Sequence, residues 1–141
     1  IDRTGVLLGL QFPAGKALDG LSAQAEKVKP FPVKVENCTF SLSGIENKVK
    51  QMSEKGEAPE TVARFALETV ARAVVKATRQ ALERFPGLPV LCSGGVASTA
   101  LLRQVMEREC GAIFAQPRFS TDNAMGTAIL TWRALEPERA Q

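Results

Sequence analysis

Leu88-Pro89-Val90-Leu91-Cys92-Ser93-Gly94-Gly95 is the stretch on which the fold of this chain turns. An apolar run without polar alternation predicts a short strand buried on both faces. The paired glycines predict a tight exit into a following helix. Leu101, Leu102, Val105 and Met106 then recur at helical spacing. Ala112-Ile113-Phe114-Ala115 reads as a second short buried strand. Ser120 or Thr121 is placed to cap a last helix, with Met125, Ala128, Ile129 and Trp132 on its inner face. Strand, helix, strand, helix over 88–135 defines an α/β unit with a parallel pair.

Upstream, Pro59 opens the strongest helix, because its missing N–H costs nothing in the first turn. Val62, Phe65, Ala66, Val70, Ala73, Val74, Ala77, Ala81 and Leu82 give one apolar stripe, and Pro86-Gly87 stops it. Glu60, Arg64, Glu68, Arg72, Lys76 and Glu83 form the other face. Their mixed signs read as a solvated surface, with Glu60–Arg64 and Glu68–Arg72 as i,i+4 pairs. This helix is expected to cover one face of the sheet.

The first 58 residues are less regular. Val6 to Leu10 is a short apolar segment, and Phe12-Pro13-Ala14-Gly15 a turn. A helix is expected over 15–26, and a basic linker, Lys27 to Pro32, follows it. Val35 to Ser43 alternates like one strand, with Cys38, Phe40 and Leu42 on its apolar face. Gly44 ends it before a helix over 45–54.

Composition limits the chemistry. The 141 residues are one domain's worth, and 45% hydrophobic with 23% charged residues is ordinary for a globular chain. The net charge of +3 permits contact with nucleic acid without arguing for it. No apolar run is long enough for a membrane span. There is no histidine, so the chain by itself cannot build a His-ligated metal site, a Ser-His-Asp triad or a Cys-His dyad. Cys38, Cys92 and Cys110, an odd number without a short-spaced pair, read as reduced thiols of a cytoplasmic protein. The chain opens Ile1-Asp2-Arg3-Thr4 without an initiator methionine, as a piece of something longer would.

Three segments are candidates for chemistry. The Gly94-Gly95 turn lets a ligand approach the backbone, and the helix after it offers N–H groups to an anion. Asp122, in Ser120-Thr121-Asp122-Asn123, is placed as a helix-start carboxylate or as a metal or substrate ligand. Lys16, after the Phe12–Gly15 turn, would suit a phosphate.

Taken in order, four stretches resemble a known family. They are Ile1-Asp2-Arg3 with Leu7 through Asp19, Phe40-Ser41-Leu42-Ser43-Gly44-Ile45, Ser93 through Thr99 with Leu101-Leu102-Arg103, and Ser120-Thr121-Asp122-Asn123-Ala124-Met125. Together they look like the C-terminal part of the tRNA threonylcarbamoyladenosine synthase catalytic subunit, formerly called O-sialoglycoprotein endopeptidase or glycoprotease. The resemblance runs from residue 1 to about 135.

It implies a helix-rich α/β chain, one ribonuclease-H-like lobe of an actin-like, sugar-kinase-like ATPase fold. Residues 1–141 would form a single C-terminal lobe, divided at 58/59, with 136–141 as a tail. It also implies a divalent metal, iron or zinc, shared with a preceding lobe that carries two histidines, and ATP or an adenylate as ligand. Asp2 and Gly15 fall on substrate-contacting positions, Gly94 and Gly95 on the nucleotide turn, and Asp122 on the metal-ligating aspartate. Thr99 stands where the family has a nucleotide-contacting asparagine, and Ala124-Met125-Gly126 departs from the family's Ala-Ala-Met, which suggests a divergent paralogue.

The implied partners are the preceding lobe, tRNA and accessory proteins, in a cytoplasmic, non-membrane setting where an oligomer is open. The expected activity is threonylcarbamoyl transfer to tRNA by the longer protein, this chain being inert alone. The alternatives are a non-enzymatic nucleotide-sensing or scaffolding relative and a glycoprotease-type metallopeptidase.

Overall fold

The computed structural model describes residues 1–116 and 124–135. Helices α1 (Asp2–Leu7) and α2 (Gly15–Ser22) come first. A small hairpin of β1 (Val35–Glu36) and β2 (Thr39–Phe40) follows, then α3 (Ser43–Glu54) and α4 (Pro59–Arg84). The α/β unit is β3 (Leu91–Cys92), a 3-10 turn (Val96–Ser98), α5 (Ala100–Cys110), β4 (Ile113–Phe114) and α6 (Ala124–Leu135). Strands β3 and β4 pair in parallel, Leu91 with Ile113 and Cys92 with Phe114, as the strand–helix–strand pattern requires. Gly111, at φ +60°, ends α5 in a left-handed cap. The Ala112 N–H then bonds back to the Met106 carbonyl and steers the chain into β4.

The spine of the molecule is α4. On one side Ala63, Leu67, Ala71 and Val75 pack with Leu18 of α2 and with Leu101, Leu102, Val105 and Met106 of α5. On the other, Val62, Phe65, Ala66 and Ala73 pack with Ile45, Val49 and Met52 of α3 and with Val33. A helix covered on two sides needs apolar residues around most of its girth, and the small alanines let its neighbours come close. Burying each large aliphatic side chain here contributes about 1.5–3 kcal/mol.

Two polar side chains of α4 fasten the irregular segment between α2 and α3. The Thr69 hydroxyl donates to the Phe65 carbonyl and accepts the Phe31 N–H. The Gln80 amide accepts the Cys38 N–H at 2.9 Å and donates to the Val35 carbonyl at 3.0 Å. It thereby clamps the hairpin turn from both sides.

Several expectations change. Helix α2 stops at Ser22 rather than 26, and Val6 and Leu7 of the apolar segment, given no element from sequence, belong to α1. The single strand over 35–43 is a hairpin. Asn37 and Cys38 both take positive φ, 50° and 61°, and reverse the chain in the middle of the alternating pattern. Glu68 is 2% exposed rather than solvated. It receives Arg64 Nε and Nη2 on one oxygen at 3.2 and 2.9 Å, so Arg64 pairs forward with Glu68 and not back to Glu60. Arg72 bonds Glu109 across the α4–α5 seam instead of Glu68.

The strands are not buried on both faces. Cys92 and Phe114 turn toward the α4–α5 core, while Leu91 and Ile113 are 73% and 60% exposed. In α6, Ile129 and Trp132, both expected on its inner face, are exposed too. The suggested caps Ser120 and Thr121 lie outside the described residues.

Candidate functional site

Asp2 and Gly15 meet at one corner. Asp2, in the first turn of α1, accepts the Ala14 N–H on Oδ1 at 2.9 Å. Ala14 is the N-cap of α2 and Gly15 its first residue. The approach is close because α1 presents Gly5 to Ala14. A methyl group on Gly5 would run into the buried Ala14 methyl, so only glycine lets the two helices touch there. The first-turn N–H groups of α2 have no intrahelical acceptor, as at any helix start. The exposed Asp2 carboxylate stands beside them. A groove of about 520 Å³ opens from the same corner, with Ile1, Asp2 and Arg3 on one wall and Leu42, Ile45 and Val70 opposite. Arg3 crosses its mouth to Glu46 at 2.8 Å.

The second feature is the turn after β3. Gly94 has φ +103°, a conformation glycine takes without strain. The turn closes on itself: the Ser98 N–H donates to the Gly95 carbonyl, the Thr99 N–H to the Val96 carbonyl, and the Ser98 hydroxyl to the Gly94 carbonyl. Nothing lies near a Cβ built on Gly94 or Gly95, so this backbone faces open space. Thr99 is buried and is the N-cap of α5, yet its side chain makes no capping bond.

The missing cap comes from elsewhere. Asp19 of α2 accepts the Ala100 N–H on Oδ2 at 2.8 Å, across 81 residues of sequence. Its carboxylate holds the dipole end of α5. Asp19 is the residue that sequence reasoning missed: it lies inside one of the quoted stretches, but nothing in its spacing signals a contact with α5. It also changes the expected anion site, since one of the α5 N–H groups is already taken. A cleft of about 510 Å³ beside it is lined by Asp19, Ser22, Arg64, Ala100 and Gln104.

Helix α2 therefore joins the two features. Gly15 and Asp19 are four residues apart, about 6 Å along the axis. Asp2 is bonded at the N-cap of α2 before Gly15, and Asp19 of the same helix holds the Ala100 N–H next to Thr99, with Gly94 and Gly95 in the loop that ends at Thr99. Asp122 lies outside the described residues. Among the described residues no group of three or more carboxylates and thiols is gathered to hold a metal. With no histidine in the chain, these residues do not fit a complete metal site by themselves. The thiols are free and half-buried. Burial pushes Cys92 and Cys110 above their ordinary pKa, away from the thiolate a nucleophile needs. No described helix is long and apolar enough to cross a membrane.

A strand-to-helix glycine turn at the carboxyl end of a parallel pair stands where open α/β sheets place their sites. The family model TsaD, tRNA N6-adenosine threonylcarbamoyltransferase, matches residues 1–129, and the chain belongs to that family. Proteins named tRNA N6-adenosine threonylcarbamoyltransferase are similar to it. That of Thermus thermophilus is 32% identical over 94% of this chain and 42% of its own length. That of Staphylococcus carnosus is 31% identical over 87% and 40%. That of Carboxydothermus hydrogenoformans is 36% identical over 73% and 32%. The chain thus spans about two fifths of the length of the first two of these relatives.

Proposed function

We propose that this chain is the adenylate-facing lobe of a tRNA threonylcarbamoyltransferase, and that it turns over substrate only with a preceding lobe. The observation that carries this reading is the Asp2–Ala14 bond, which holds a carboxylate beside the open first turn of α2. Donors at that helix start suit the oxygens of an acyl phosphate or carbamoyl group. Asp2 is suited to accept from an amine or hydroxyl of the same ligand. The Gly94–Thr99 turn, open at its backbone, takes the nucleotide. Asp122 would supply one carboxylate to a metal whose other ligands come from outside this chain, and none of these roles is routed through a metal.

In this reading the lobe binds and orients. It holds the adenylate so that its carbonyl faces the acceptor amine of the tRNA, which accelerates transfer by fixing geometry. The actin-like, ribonuclease-H-like architecture and the cytoplasmic setting belong to the same proposal.

One observation favours a second reading, a nucleotide-sensing or scaffolding relative. The Asp19 carboxylate already sits on the α5 N-terminus, which weakens phosphate binding there. Thr99, which by the family resemblance stands in place of an asparagine and has a shorter side chain, is in keeping with this reading.

Titration calorimetry of ATP and of threonylcarbamoyl-adenylate against the chain and its Asp2→Ala variant tests the proposal. We expect the adenylate to bind and Asp2→Ala to weaken it about tenfold, the scale of one charge-assisted hydrogen bond. A chain that binds neither ligand, or a variant that binds as well as the parent, contradicts it.

A further inference from the structure

We propose that the arginine face formed by Arg72 and Arg79 of α4 with Arg108 of α5 docks the phosphate backbone of an RNA. That the polyanion is RNA rests on the tRNA reading above; the anion-binding face itself rests on geometry. Three guanidinium groups converge on one carboxylate. Glu109 accepts Arg72 Nη1 and Arg108 Nη2 on Oε1 and Arg79 Nη2 on Oε2. The group carries two positive charges in excess. One arginine is enough to tie α5 to α4, and Arg72, the least exposed at 29%, does that. Arg79 and Arg108 are 57% and 58% exposed, where an ion pair contributes little stability. Each guanidinium has five N–H donors, and a single one from each is spent on Glu109. The rest of each fork is available to a bridging phosphate, the geometry arginine matches best.

The surroundings extend the charge. Lys76 lies one turn from Arg72 on α4 and is exposed, donating weakly to the Val33 carbonyl at 3.4 Å. A small cleft of about 130 Å³ between Arg72, Lys76 and the Pro30–Val33 segment continues the face, and the exposed Lys27 and Lys29 precede that segment in sequence. Because α5 runs from Thr99 to this cluster, the face stands one helix length, about 14 Å, from the glycine turn. An RNA seated here would reach the adenylate with an adjacent part of its chain.

The test is filter binding of unmodified tRNA to the chain from 50 to 300 mM salt, with an Arg79→Ala/Arg108→Ala variant that keeps the Arg72–Glu109 tie. We expect about tenfold weaker binding and a salt slope shallower by about 1.5, as for two lost phosphate contacts. Lys50→Ala/Lys55→Ala, in α3 and at its C-cap, a charge-matched change, should leave the slope as it is. Circular dichroism checks the fold, and Arg79→Gln alone serves if the double variant melts. A parent-like slope in the arginine variant, an equal loss in the lysine variant, or no tRNA binding by the parent at 50 mM salt overturns the proposal. The readout is RNA binding, so failure of the adenylate reading would show in calorimetry and not here.

Discussion

Asp2 and Ala14 are joined by a 2.9 Å bond from the Ala14 N–H to the Asp2 carboxylate, and that contact fixes where α2 begins. It exists because Gly5, on the next turn of α1, leaves no side chain between the two helices. A glycine with no part in any chemistry thus decides the position of the residues proposed to have one.

Gly5→Ala should therefore cost about 1–3 kcal/mol, as overpacking does, and should loosen the Asp2 corner. Ala14→Gly in the same chain should recover most of the loss, because it removes the methyl that the new one meets. Thermal unfolding of the two single variants and the double variant checks this. Additive losses would mean that the two positions are not in contact.

Asp19→Ala should free the Ala100 N–H and fray the start of α5. Loss of a cap costs about 1 kcal/mol. Asp19→Asn keeps a carbonyl oxygen and should lose less. Hydrogen exchange at Ala100 reads the effect directly: it should speed up in the alanine variant while the Met106 amide, in the core of α5, follows global stability. Unchanged exchange at Ala100 would mean that Asp19 does not cap α5.

Glu109 gives the chain a predicted acid dependence. The Arg108 bond first, and then Arg72 and Arg79, hold its carboxyl below the usual carboxylate range against the opposing effect of burial. A carboxyl depressed in the folded state adds stability above its unfolded pKa, near 4.3, which is lost as pH falls through the folded value. Thermal midpoints from pH 6 to pH 3 should fall less steeply in Glu109→Gln than in the parent. Parallel curves would show that the arginine cluster adds no pH-dependent stability.

The parts of the fold that were legible in sequence are those with long periodicity or strong punctuation. Pro59 and Pro86-Gly87 bracket α4, the Leu101–Met106 spacing marks α5, and the strand–helix–strand order gives the parallel pair. The hairpin was not legible, because Asn37-Cys38 in left-handed conformation does not interrupt an alternating pattern on paper. Burial of Glu68 was equally hidden. Charge reads as surface until the apolar girth of α4 shows that both its sides are covered. At the candidate site, the Gly94-Gly95 turn could be read from the residues themselves, and Asp2 and Gly15 through the family resemblance, which also gave the family. Asp19 could not, since its partner lies 81 residues away.

The most direct measurement of the central claim is a map of backbone amide shifts as threonylcarbamoyl-adenylate is added to the labelled chain. Gly15, Lys16 and Ala17 at the start of α2 should move together with Gly94, Gly95 and Thr99. Both features would then contact one ligand. Shifts confined to one of the two features, shifts centred instead on the Cys38–Gln80 clamp, or none at all would contradict it.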